Sequence, residues 1–549
     1  MTTRWTSVIT LDGVDISGKI TGEITVEAEE STSRIAEFIM QPDAGVISAG
    51  DWLAKTVTID YKTVDSAGLT LTQNRLFTGK VDHAVYNPNT KLVSFACSDN
   101  LQADFEAKTQ AQIDAIILNS RWSEAAFGEY EDGWLYFEDL LKTYPQSYDY
   151  NVDGVTGALV DWAAKVTPDY SYDSTSIFDG TIDYSITPRR QLFNEYTLNY
   201  SYRFDRLKHR EHSFSWADIA FCGYFGQSHT LPTREMIIGA ATGAGWNVQL
   251  PILFGSLLPS DPDPCNTGSA WSITEELREQ LAISASWQAT KRWKQSATEN
   301  YVLTVSAPQS VAWLGTIAYE EQASGQTETD SEGWAGDNAT PTGRTDSLGD
   351  IVQDKYDRTV SDNDIETLIA RARTEILSSH RENYVEAEIE LNPLLERFHT
   401  VQLSDKGITG KGKVFKYTHT LDHDEGSAIT TIKIAVSLNG GAAASGDSTI
   451  AAPSAPDTDP VIAVPSSSTT LTSRIGNDDT VPAYDSAWDG FTGNYSAPVG
   501  APAANQIYPR QFKVTTADID QEAIDHIEAE KTQAYSFDIP DETLTITVS

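Results

Sequence analysis

Alternation of apolar and polar positions dominates the first hundred residues. Ile24, Val26 and Ala28 alternate with Thr25, Glu27 and Glu29, the period-2 signature of a half-buried strand. Further strands are predicted at 34–40, 56–61, 75–85 and 91–97, with turns signalled by Asp12-Gly13 and Asn87-Pro88-Asn89. Strands at this spacing predict a small β-barrel over residues 1–100. Beyond Ser98-Asp99 the pattern changes. Ala158, Leu159, Trp162, Ala163 and Val166 fall at helical spacing, and 101–185 is expected to be an α+β insertion.

The clearest strand follows: Tyr196, Leu198, Tyr200, Tyr202 and Phe204 alternate with Thr197, Asn199, Ser201 and Arg203. Arg203, Arg206, Lys208 and Arg210 read as charges at the exposed end of a buried aromatic face, not as a nucleic-acid surface. Residues 186–440 are expected to form a second β-barrel with a long irregular insertion at about 211–350. Ser361 and Asp364 fit a helix N-terminus, ahead of an apolar stripe of Ile365, Leu368, Ile369, Ala372, Ile376 and Leu377. Strands return at 385–391, 400–403, 412–420 and 427–436. Residues 441–470 have linker composition. A small C-terminal module at 471–549 is expected to hold a helix around 517–531 (Ile519, Ala523, Ile524, Ile527) and a strand with Leu544, Ile546 and Val548 on one face.

Charge narrows the function. Among 549 residues, 39 Lys and Arg face 79 Asp and Glu, a formal charge of −40, which repels DNA phosphates and anionic lipid. Cys97, Cys222 and Cys265 are odd in number and lack CxxC spacing, so no disulfide framework is expected and folding in a reducing cytoplasm is the natural reading. The start at Met1-Thr2-Thr3-Arg4-Trp5 has no signal-peptide apolar core.

One arrangement occurs twice. Phe77-Thr78-Gly79-Lys80-Val81 leads through a turn into Leu92-Val93-Ser94-Phe95-Ala96-Cys97; Gly410-Lys411-Gly412-Lys413-Val414 leads through Asp424-Glu425-Gly426 into Thr430-Thr431-Ile432-Lys433-Ile434. With the Leu11-Asp12-Gly13 hairpin and the helix before the second copy, this order over residues 1–440 resembles the baseplate hub proteins of phage-type tails. The resemblance implies a mainly β fold with α+β insertions: two tail-tube-like β-barrel domains plus inserted domains and a C-terminal extension. It implies a homotrimer at the virion tail tip, whose partners are distal tail or tube proteins, tape-measure protein and tip fibres or a spike. DNA would pass through its acidic lumen without specific binding. The two Gly-Lys-Val segments are expected to lie in two separate barrels.

Catalytic and metal patterns are weak beside this one. His419 and His423 flank Asp422, yet lie at a strand end where i and i+4 do not converge as on a helix. Gly407–Lys413 lacks the spacing of a phosphate loop. Glu129, Glu131 and Asp132 beside Tyr130 and Trp134 are the residue types of a glycosidase cleft, but such neighbours are common in so acidic a chain. No enzyme activity, cofactor or metal is expected. A tip-borne cell-wall hydrolase and a receptor-binding tip protein are the alternatives. The most unusual segment, 236–260, has no charged side chain and carries Ile237, Ile238, Trp246, Leu250, Ile252, Leu253, Phe254, Leu257 and Leu258. Glycines and Pro251 interrupt it, so it is expected as loops or a hairpin buried at a subunit contact, with host-membrane contact as the alternative.

Overall fold

The computed structural model describes residues 4–216 (bar 47 and 49), 238–254 (bar 240, 243 and 244), 266, 285–327, 342–459 (bar 442), 468–473, 491–494, 512–514 and 523–548. The period-2 runs of the first hundred residues become β1 (Arg4–Leu11), β2 (Val14–Asp15), β3 (Ile20–Glu29), β4 (Ile35–Met40), β5 (Thr56–Val64), β6 (Thr70–Asn87) and β7 (Leu92–Ser98). All but the exposed two-residue β2 turn an apolar set inward: Ile9 from β1, Ile24 and Val26 from β3, Phe38 from β4, Val57 and Ile59 from β5, Phe77 from β6 and Phe95 from β7 share one core.

Four short helices follow, α1 (Leu101–Glu106), α2 (Gln110–Asp114), α3 (Glu124–Phe127) and α4 (Gly133–Leu141); α1, α2 and α4 pack with the hairpin β8 (Gln146–Tyr150)–β9 (Gly157–Asp161), whereas Ala125 and Ala126 of α3 pack on the core of the second sheet. Phe105 and Phe137 meet at the centre of the insertion in a tilted pair, with Tyr148 edge-on to both. The helix expected from Ala158 to Val166 is therefore strand β9 and an irregular tail. Five apolar positions fit a 3.6 period as well as a strand end, and pairing with β8 decides.

The short strands β10 (Tyr170–Asp173) and β11 (Asp183–Ser185) leave the insertion and join the main sheet, so 170–185 does not belong with the insertion as expected. That sheet continues through β18 (Asn383–Glu390), β19 (Thr400–Asp405), β20 (Ile408–Asp422) and β21 (Ser427–Val436). Among the described residues it has 14 strands, running β11-β18-β21-β20-β3-β4-β7-β6-β5-β1-β2, with β19 against β20 and β10. Gly79 and Gly412 thus lie in one hydrogen-bonded sheet, which overturns the expectation of two separate barrels. Two cores persist beneath it, the second built from Val385, Val401, Val414, Ile432 and Ile434.

Between β11 and β18 lies a second sheet. Its frame is the pair β12 (Glu195–Trp216) and β14 (Ala285–Ser306), antiparallel over 22 residues, with β13 (Asn247–Phe254) on the far edge of β14. β15 (Ala318–Thr327) adds in parallel to the first half of β12, and β16 (Arg344–Thr345) with β17 (Ile351–Lys355) covers its middle. The helix Arg358–Arg381 lays Ile365, Leu368, Ile369, Ala372 and Ile376 on Tyr196, Tyr200, Tyr202 and Tyr301. Its cap is Asp357, which accepts from Thr359 N, whereas Ser361 and Asp364, expected at the cap, are buried within it.

Of the expected C-terminal module, the described residues are the strands β22 (Ser468–Ser473), β23 (Phe491–Asn494), β24 (Phe512–Val514), β25 (Ile527–Ser536) and β26 (Leu544–Ile546) and the segments beside the last two, and three of these strands join the two main sheets. β22 pairs with β12, β25 runs parallel to β14 and β26 pairs with β20. From Ile527 the helix predicted at 517–531 is strand β25, because a long open edge on β14 outweighs local propensity; 517–522 lie outside the described residues. The expected linker is strapped to the body: Arg358 donates to Pro453 O, and Arg206 to Thr458 O. Among the described residues no helix is long and apolar enough to cross a membrane.

Candidate assembly surface

The Gly-Lys-Val echo is a structural repeat with matching register. Thr56 and Val57 of β5 pair with Lys80 and Gly79, as Thr400 and Val401 of β19 pair with Lys413 and Gly412. On the other side Lys80 and Val81 face Ser98 and Cys97, as Lys413 and Val414 face Ala435 and Ile434. A β-bulge follows Val81 and Val414 alike, and pairing resumes at His83↔Ala96 and Lys416↔Lys433. The glycines have one cause. A Cβ on Gly79 would sit 2.1 Å from Ser98 O, and one on Gly412 1.8 Å from Ala435 O. The unit extends to β4 and β18, where Ala36↔Cys97 matches Val385↔Ile434. It extends again to β3 and β11, where Val26↔Ala36 matches Tyr184↔Val385.

The two units join where β3 pairs with the half of β20 beyond its bulge, in the register Glu27↔Thr418, Val26↔His419 and Thr25↔Thr420. His419 is buried there with Nδ1 2.9 Å from Thr430 Oγ1, and burial together with the nearby Arg34 charge pulls its imidazole down to about 3. Arg34 locks three bodies together: its guanidinium donates to Leu76 O of the first unit, Tyr150 O of the insertion and Glu396 Oε2 ahead of β19. Alternation then leaves Glu23, Glu27, Glu29, Glu37, Glu386, Glu388 and Glu390 on the face away from both cores. Lys416 stands among them, 2.6 Å from Glu27 and 3.3 Å from Glu29. Burial works against its charge, yet the two glutamates hold the ammonium above its ordinary range.

Of the apolar segment 236–260, Ile237, Leu257 and Leu258 lie outside the described residues. Ile238 is half-buried, and Trp246 is buried with its ring 5.6 Å from His212. Leu250, Ile252, Leu253 and Phe254 fall in β13, paired antiparallel to β14 across a bulge between Gln249 and Leu253. The other candidates are dispersed. His423 Nε2 is 2.9 Å from Ser7 Oγ, away from the Thr430 partner of His419. Lys406 and Gly407 form the two-residue turn of the β19–β20 hairpin. Asp132 caps α4 through Leu135 N, Trp134 packs on Phe137, and Glu129, Tyr130 and Glu131 are exposed.

A ladder of buried ion pairs stands where the sequence predicts exposed charges. Arg206, Lys208 and Arg210 are not at an exposed end; only Arg203 is exposed. Lys208 Nζ meets Asp346 at 3.0 Å, Arg210 grips Asp350 with two nitrogens, and Arg206 Nε meets Asp354 at 2.6 Å. A basic residue at every second position was the available signal, answered by Asp346, Asp350 and Asp354 at four-residue spacing.

No protein-family model matches the chain, and no curated protein matches it. Among solved structures it is similar to a tail protein from Neisseria meningitidis MC58, at 9% identity and a TM-score of 0.38, over 79% of this chain and 96% of that one. It is similar as well to the 43 kDa tail protein of prophage MuSo2 from Shewanella oneidensis, at 12% identity and a TM-score of 0.37, over 78% and 97%. A third is an E. coli type VI secretion component, itself described as similar to T4 phage tail proteins, at 8% identity and a TM-score of 0.29, over 79% and 78%.

Proposed function

We propose that this chain is a structural baseplate hub of a phage-type tail, a homotrimeric ring that continues or closes the tail tube and lines an acidic channel. The observation that carries this reading is the duplicated β-unit. Each chain holds two units of matching register side by side in one sheet, so three chains supply six around an axis, enough to join a sixfold tube to a threefold tip. The glutamates on the face away from the cores support a passage wall: at short range such a surface repels DNA phosphates instead of holding them. Tape-measure protein and DNA are the cargo of that passage, and distal tail or tube proteins with tip fibres or a spike are the neighbours. The segment 236–260 is assigned to a contact between subunits, with host-membrane contact after opening as its alternative role. Native mass and particle images test the ring. Three copies around a pore are expected; a monomer at high concentration, or a particle without threefold symmetry, would sink the proposal.

A further inference from the structure

The contact that joins the two units inside one chain leaves its counterpart open at each end. In the second unit, Thr418, His419 and Thr420 are covered by Glu27, Val26 and Thr25 of β3. The matching residues of the first unit are Val85, Tyr86 and Asn87, which stand as far beyond the bulge of β6 as those do beyond the bulge of β20. Among the described residues they pair with β7 on one side and with nothing on the other. The strand that matches β3 is β11. Its Asp183, Tyr184 and Ser185 pair with β18 as Thr25, Val26 and Glu27 pair with β4, and among the described residues its far edge is the end of the sheet.

Exposure singles out the same positions. Tyr86 is 45% exposed where its counterpart His419 is 2% exposed, and Tyr184 is 37% exposed where its counterpart Val26 is fully buried. Val85 and Ile186 beside them are also exposed large apolar side chains. An edge strand of this kind is a template for pairing, and here one chain carries both the giving and the receiving edge.

We propose that β11 of one copy adds antiparallel to the open half of β6 in a second copy, in the register Ser185↔Val85, Tyr184↔Tyr86 and Asp183↔Asn87. The occupant is a second copy of this chain because the chain already makes this contact with itself between its own two units. Both edges stay satisfied only if the head-to-tail contact closes, which makes a ring. The inference rests on the ring reading and adds the residues that close it.

The test uses the full chain. Tyr86→Cys with Tyr184→Cys brings two thiols opposite each other across an antiparallel pair, within disulfide reach. Mild oxidation is expected to give covalent dimers and trimers, while either single variant stays uncrosslinked. Val85→Cys with Tyr184→Cys puts the thiols on opposite faces and is expected to stay uncrosslinked too. Trimers by native mass without the Tyr86–Tyr184 crosslink would overturn the register and leave the ring reading standing. Equal crosslinking of the Val85–Tyr184 pair would also overturn the register. A protein that stays monomeric at every concentration would overturn both.

Discussion

His419 is a histidine that the fold keeps neutral. Its imidazole is held at about 3, far below the roughly 6.5 of an unfolded chain, because burial and Arg34 both oppose a second proton. Between those two values the unfolded chain binds a proton that the folded chain refuses. Stability therefore falls as pH drops through 6.5, by about 1.4 kcal/mol per unit for this one group. His380 and His399, also lowered by burial, add to the same slope, whereas Asp99 and Asp364, raised by burial, act in the opposite direction. The difference between two proteins isolates the single group. His419→Gln should lose less melting temperature than the parent between pH 7.5 and 5, by the equivalent of about 2 kcal/mol. Identical slopes would mean that His419 is not the titrating group.

The repeated hairpin owes its shape to two glycines packed against a neighbouring carbonyl. Replacing Gly79 or Gly412 by alanine drives a methyl into backbone that cannot yield, and each change should cost about 1–3 kcal/mol. Gly18→Ala, with nothing within 4 Å, should stay within about 0.5 kcal/mol and serves as the control in urea melts. This element was legible in the sequence because its requirements are local: a glycine, a bulge and an alternating return strand. The junction of β3 with β20 was not, since alternation states which face is buried and not which strand, some 390 positions away, will cover the edge. The same limit hid the ion ladder, whose acids lie about 140 residues from their cations in a stretch that reads as loop. The mainly β class, by contrast, was plain, because most strands announce themselves by period alone. At 158–166 and 517–531 short apolar sets satisfy either period, and pairing decides: with the adjacent β8 in the first case and with the remote edge of β14 in the second.

Across the whole molecule, the units and the first insertion are coupled through single buried groups. Arg34→Ala should cost about 3–5 kcal/mol, since it leaves Glu396 without its partner at 2.8 Å and frees two carbonyls in different bodies. Urea unfolding followed by fluorescence would show it; a loss under about 1 kcal/mol would mean the three bodies hold together without it. Residues 527–546 couple the molecule in another way. β25 zips onto β14 and β26 onto β20, while Glu542 receives Ala164 N and Ser437 N. Ser306, at the end of β14, is synthesised long before its partner Ser536. At about 5–20 residues per second, the edge of β14 waits roughly 12–46 s for its partner on the ribosome. During that interval the nascent chain exposes strand edges while other copies are being made nearby. The late-arriving strands act as a timer: until residues 527–546 emerge, the edges of β14 and β20 stay open to mispairing, and slower translation lengthens that exposure.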